Sequence, residues 1–285
     1  MGLGARIKAG LAMVAVGAAV AAAAGPAQAV TDQEVLEYVA LGDSAAAGPL
    51  IPQQDINLLC LRSDRNYPAV AAEALGAKLT DVSCSGATTE DFGSRRLGVL
   101  PPQFDALKPS TDLVSVTIGA NDSGLFQTAL TCVNFLPEPF GLSCSDRLTS
   151  GGRDRLAESV AQWAPTFGAA LAEIKKRSPQ ATIVVTGYGT YIRAGGCHPA
   201  QPVWARDGDY LQSVMNKISA AAREQAAKHG ARFVDVAALT VGHDICAAPE
   251  DRYLEGIVPA HAAAPLHPNE QGMAVVGNAV AAAAR

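Results

Sequence analysis

Short apolar runs recur along the chain between longer stretches whose hydrophobic residues fall every three or four positions. The runs Glu37–Leu41, Lys78–Ser83, Leu113–Ile118, Ala181–Thr186 and Arg232–Asp235 read as five strands. Tyr67–Leu75 reads as a helix. Leu156, Val160, Trp163, Phe167, Leu171 and Ile174 mark a second helix with one apolar stripe, and Leu211, Val214, Ile218 and Ala221 mark a third. Pro165 is expected to kink the second helix or divide it near Trp163, because proline removes a backbone donor and crowds the preceding turn. A last helix is predicted from Asn269 into the alanine-rich tail. Strands alternating with helices are the pattern of βαβ units, so the expected fold is α/β with a five-stranded parallel sheet. Ligands of such sheets gather beyond the carboxyl ends of the strands.

The N-terminus departs from this pattern. Arg6 and Lys8 precede an apolar, alanine-rich stretch from Ala9 to Ala24, then Gly25-Pro26-Ala27-Gln28-Ala29. This is the layout of a secretory signal peptide, 1–29, cleaved after the Ala-x-Ala site. A membrane anchor is the weaker reading, since Gly25-Pro26 breaks the segment where a signal is cut. No twin arginine is present, and no cysteine stands at the cleavage point to accept a lipid. The rest, 30–285, shows no repeat or long linker and is expected to form one domain, secreted and monomeric.

Charge and cysteine content narrow the partners. Lys and Arg number 22 against 27 Asp and Glu, a net charge of -5 with the cations scattered, which is not the basic footprint of a nucleic-acid binder. A small-molecule or polymer-bound substrate is expected instead. Six cysteines, an even number, suit an oxidising compartment and three disulfides. Fifteen pairings are possible. The sequential one, Cys60–Cys84, Cys132–Cys144 and Cys197–Cys246, is expected because each bond then staples a local excursion. A metal site from Cys197, His198, His243, Asp244 and Cys246 is disfavoured, since there is no Cys-x-x-Cys pair.

Four short motifs then fall at or near strand ends, in fixed order: Gly42-Asp43-Ser44, Ser85-Gly86, Gly119-Ala120-Asn121-Asp122 and His267-Pro268-Asn269. Acyl transfer needs a hydroxyl that a base can deprotonate and donors aimed at the oxygen that becomes negative. Ser44, the Gly86 N–H, the Asn121 amide and His267 supply those parts. Each has an ordinary structural use as well: Ser44 as a helix cap, Gly86 as a turn glycine, Asn121 as a turn cap or, in Asn121-Asp122-Ser123, a glycosylation acceptor. His243 and His261 are further candidates for the base, while His229 reads as a helix C-terminal charge partner. Gly-x-Ser-x-Gly, the nucleophile elbow of α/β-hydrolases, does not occur in the chain.

These motifs resemble blocks I, II, III and V of the SGNH hydrolase superfamily, the GDSL esterases and lipases, over essentially all of 30–285. The six cysteines are similar in spacing to those of its secreted actinobacterial members. The resemblance implies a flavodoxin-like three-layer α/β/α fold working without a cofactor or metal. It implies Ser44 as nucleophile and oxyanion donor, Gly86 and Asn121 as the other donors, and His267 as general base. Many members carry Asp three residues before the histidine, where this chain has Ala264. The expectation is therefore a Ser44–His267 dyad oriented by the Ala264 carbonyl, with Asp244 or Glu270 as substitute carboxylates in second place. Asp43 and Asp122 are read as holding their loops.

The expected reaction is hydrolysis of a carboxylic ester of a lipid or other acyl group. The insertion Leu125–Leu142, with Phe126, Leu130, Val133, Phe135, Leu136 and Phe140, either walls an acyl groove or packs its disulfide loop onto the domain. A carbohydrate O-acetyl esterase, a phospholipase and a non-enzymatic envelope binding protein are the rival functions.

Overall fold

The computed structural model describes residues 35–285 and, ahead of them, the isolated positions Met1, Gly2, Gly4, Gly10 and Met13. The expected signal segment, but for those positions, lies outside the described residues.

The chain runs β1 (Glu37–Gly42), α1 (Ser44–Ala47), α2 (Tyr67–Leu75), β2 (Lys78–Asp81), β3 (Leu113–Thr117), α3 (Leu125–Leu130), α4 (Cys144–Leu148), α5 (Arg155–Arg177), β4 (Thr182–Thr186), α6 (Ala205–Lys228), β5 (Arg232–Val234), α7 (Val236–Leu239) and α8 (Glu270–Ala284). The five strands form one parallel sheet in the order β2-β1-β3-β4-β5. Because β1 lies between β2 and β3, the chain winds outward in both directions from β1, and the crevice at that reversal is where such folds bind ligands.

Side chains alternate across the strands, and the central strands β1, β3 and β4 are buried on both faces. Tyr38 and Ala40 of β1 face the α2 and α8 side, with Tyr67, Ala71, Met273 and Val280. Val39 and Leu41 face the α5 and α6 side, with Trp163, Phe167, Leu171 and Ile218. This is the three-layer α/β/α arrangement. Burying one large apolar side chain of this kind contributes roughly 1.5–3 kcal/mol, so the two faces together carry most of the driving force.

Local signals explain the boundaries. Asn66 caps α2 through the Ala69 N–H, Pro68 lies in its first turn, and Gly76 ends it in a left-handed conformation. Asp235 does not extend β5 as expected but caps α7 through the Ala238 N–H. β2 ends at Asp81, two residues short of the expected Ser83, and Pro165 lies inside α5 without dividing it. Both Pro165 and Ala161, whose carbonyl the proline leaves without its helical donor, are exposed, so water can satisfy that oxygen.

The three disulfides join Cys60 to Cys84, Cys132 to Cys144 and Cys197 to Cys246, the sequential pairing. Five of the six cysteines lie in connections between elements, and Cys144 opens α4. Among the described residues no helix is long and apolar enough to cross a membrane.

Candidate active site

β1 delivers the serine. Gly42 has φ +148°, and a Cβ there would stand 2.5 Å from the Thr117 carbonyl oxygen, so only glycine lets β1 turn this close to β3. The Gln103 amide clamps the turn, accepting the Gly42 N–H at 2.8 Å and donating to the Gly42 carbonyl at 2.9 Å. Asp43 then caps α1 by accepting the Ala45 N–H at 2.9 Å. Its other oxygen accepts the Tyr188 hydroxyl, whose own oxygen accepts the Ala120 N–H at 3.1 Å. Asp43 therefore ties the serine turn to the Gly119-Ala120-Asn121 turn through Tyr188. Burial pushes its carboxyl up to about 7, against the lowering effect of those hydrogen bonds.

Ser44 Oγ lies 2.7 Å from His267 Nε2, and His267 Nδ1 lies 2.8 Å from the Pro265 carbonyl oxygen. A carbonyl can only accept, so Nδ1 carries the proton and Nε2 is free to take one from the serine. The expected Ala264 carbonyl is not the partner. Leu266 is left-handed at φ +61°, and the turn brings the carbonyl two residues back, rather than three, onto the ring. Ala264 instead donates its N–H to the Pro49 carbonyl at 2.9 Å. Neither substitute carboxylate reaches the imidazole: Asp244 pairs with Arg193 at 3.0 Å and Glu270 with Arg65 at 2.9 Å. Burial holds the His267 pKa below its ordinary 6.5, partly offset by the Pro265 bond. Phe126 packs edge-on against the ring, centroids 5.2 Å apart.

The other histidines are engaged elsewhere. His261 Nδ1 pairs with Glu255 at 2.7 Å, His243 Nδ1 bonds the Asp251 carbonyl, His198 Nε2 bonds the Asn134 carbonyl, and His229 is the C-cap of α6.

Asn121 lines the same cleft as Ser44, and Gly86 lies in the turn after β2. Asn121 Nδ2 donates one hydrogen to the Ala87 carbonyl at 2.9 Å, which anchors the amide beside the Ser85-Gly86 turn and leaves its second N–H available. Gly86 is left-handed at φ +78°. Among the described residues neither the Gly86 nor the Ser44 N–H has a hydrogen-bond partner. Asp122 accepts the Thr89 N–H at 2.9 Å, holding the Asn121 turn to the turn after Gly86. Gly119, at φ +128°, leaves room for Trp163, whose ring would come within 2.6 Å of a Cβ there; the Trp163 N–H donates to Thr89 Oγ1 at 3.0 Å.

Ser44, Asn121 and His267 open onto a cleft holding about 780 Å³ of empty space, its solvent mouth included. Leu125, Phe126, Ile192, Val203, Leu211 and Met215 are among its apolar lining, and few polar groups other than the motif residues reach it. Of the expected insertion residues, Phe126 lines the cleft. Phe135, Leu136 and Phe140 are exposed on the Cys132–Cys144 loop, neither walling the groove nor packed beneath the loop. That loop adjoins the cleft through the Val133–Val203 bridge.

Sequence reasoning did not find Gln103, Pro265 or Tyr188. Tyr188 lies 145 residues from its partner Asp43, and no motif or local spacing links them.

A hydroxyl bonded to a neutral imidazole, beside free N–H donors and an apolar cleft, defines the class of serine-dependent ester hydrolases. The chain belongs to the GDSL-like lipase/acylhydrolase family, which matches residues 40–275, and it is a carboxylic ester hydrolase. It is 39% identical to Lipase 2 of Streptomyces coelicolor over 256 residues, 87% of this chain and 85% of that protein. Two solved structures superpose with TM-scores of 0.73, each covering 88% of this chain and all of theirs: phospholipase A1 from Streptomyces albidoflavus, 26% identical, and an extracellular lipase from Streptomyces rimosus, 28% identical.

Proposed function

We propose that this protein is a secreted, monomeric hydrolase of lipid or other long-chain acyl esters, acting through an acyl-enzyme on Ser44. His267 Nε2 takes the Ser44 proton as Oγ attacks the ester carbonyl carbon. The Ser44 and Gly86 N–H groups and the Asn121 amide hold the oxyanion. Collapse of the tetrahedral species expels the alcohol, protonated by His267, and water repeats the sequence to release the acid. Pro265 does with a carbonyl dipole what a carboxylate does elsewhere: it fixes the imidazole tautomer and faces the proton that Nδ1 carries.

The single observation carrying this reading is the 2.7 Å contact of Ser44 Oγ with His267 Nε2 at the mouth of an apolar cleft. The cleft's apolar lining also favours a long acyl chain over acetate, since a carbohydrate acetyl ester offers two carbons to bury and a polar alcohol to hydrogen-bond. The exposed Phe135, Leu136 and Phe140 beside the cleft, together with relatives named as a lipase and a phospholipase A1, point the same way. Secretion is supported by the three disulfides and the signal-like leader.

Hydrolysis of p-nitrophenyl esters from acetate to palmitate tests the substrate class. The expected kcat/KM rises from acetate to medium or long chains by about tenfold or more, because each buried methylene contributes about 0.8 kcal/mol. A maximum at acetate would contradict the lipid reading and favour a deacetylase.

A further inference from the structure

The peptide between Ser85 and Gly86 carries two polar groups on opposite sides. The bond is trans, so the Ser85 carbonyl and the Gly86 N–H point in opposite directions from one rigid plane. The carbonyl accepts Arg96 Nη2 at 3.0 Å. The guanidinium packs against Gly86 itself: a Cβ there would stand 2.7 Å from Nη2. The N–H on the far side has no partner within the described residues.

Arg96 is held in that position by construction. Its Nη1 donates to Asp91 Oδ2 at 3.0 Å, and Asp91 is itself fixed by accepting the Thr88 N–H at 2.8 Å. A tight turn pins its backbone, with Arg96 and Leu100 exchanging both N–H···O bonds across left-handed Leu97 and Gly98. Arg96 Nε is buried without a partner. Asp91 neutralises most of its charge at a distance, so its influence is exerted through the Ser85 bond.

We propose that Arg96 is a positioning residue for the oxyanion site: by holding the Ser85 carbonyl it aims and polarises the Gly86 N–H. A charge-assisted bond to a carbonyl draws electron density from the amide nitrogen and strengthens its N–H as a donor. It also fixes the plane of a peptide that a left-handed glycine would otherwise let rotate. The inference rests on the proposed Ser44 chemistry, and the test separates the two.

The experiment compares the parent, Arg96→Ala, Arg96→Lys and Ser44→Ala in hydrolysis of a p-nitrophenyl ester and in inhibition by an alkyl trifluoromethyl ketone. Ser44 Oγ bonds to the ketone carbon, its proton passes to His267, and the carbonyl π pair becomes an oxyanion. Arg96→Ala is expected to lower kcat about tenfold with KM within about twofold, a fraction of what losing a whole donor costs. Ketone inhibition should weaken by the same factor. Arg96→Lys, whose single nitrogen replaces a two-armed fork, should fall between parent and Arg96→Ala on both readouts. A merely structural role lowers the melting temperature without that parallel. Full kcat in either folded variant, or a kcat loss with ketone affinity unchanged, overturns the inference; if Arg96→Ala fails to fold, Arg96→Lys carries the same two readouts. An active Ser44→Ala protein overturns the chemistry proposed at this site. An inactive one beside a fully active Arg96→Ala overturns only the role of Arg96.

Discussion

His267, the proposed base, is the residue whose environment bears most directly on the conditions for reaction. Removing an imidazole from water penalises its charged form, so the folded protein holds its pKa below 6.5. In the proposed mechanism the neutral form is the base, so kcat/KM should be flat around pH 7 and fall tenfold per pH unit once pH drops below that depressed pKa. The pH profile on a short soluble ester reads this directly. A limb centred near 7 instead would assign the titration to Asp43, whose buried carboxyl is pushed up to about 7. Ser44 and His267, the proposed nucleophile and base, were legible as single residues because each sits in a motif with few alternatives, and they lie in hydrogen-bond contact. The carbonyl that orients the imidazole was not, because a backbone oxygen has no sequence signature and the left-handed Leu266 shifts the choice from Ala264 to Pro265.

At the scale of elements, long helices and buried strands were legible and short pieces were not. α2 has a capping Asn, an early Pro and a terminal Gly, and both its ends follow from the sequence. α1, with four residues, and α3, with six, are too short to display a period, and their existence depends on the loops they connect. The loops after β1 and β2 are joined by Cys60–Cys84, next to which Ser85 donates its N–H to the Cys60 carbonyl at 2.9 Å. That bond therefore steadies the Gly86 turn as well as the fold. Replacing both cysteines by alanine should destabilise the protein by about 2–5 kcal/mol. It should also lower kcat more than removal of Cys197–Cys246, which ties the loop after β4 to the start of the α7–α8 connection, well before His267. Urea unfolding and steady-state kinetics on the two double variants check both statements. Equal kcat losses would separate the disulfide from the turn.

For the molecule as a whole, the fold class followed from alternating strand and helix patterns, and the parallel order β2-β1-β3-β4-β5 brings four distant motifs to one edge. Ser44 and His267 are 223 residues apart, yet β1 and the loop before α8 end within a hydrogen bond of each other. What the pattern could not supply is the shape of the cleft between them, built from α3, the loop after β4 and α6, whose apolar residues read as core in a linear sequence. The Tyr188 link between the serine and asparagine turns is hidden for the same reason.

The most direct test of the account is covalent labelling with an alkyl fluorophosphonate, followed by intact-mass and peptide mass spectrometry of the parent, Ser44→Ala and His267→Ala proteins. A Ser44 nucleophile activated by His267 should give one adduct per parent molecule, located on Ser44, with no adduct on Ser44→Ala and labelling of His267→Ala slowed by about a thousandfold or more. An adduct on a different residue, or hydrolysis that survives Ser44→Ala, would contradict it.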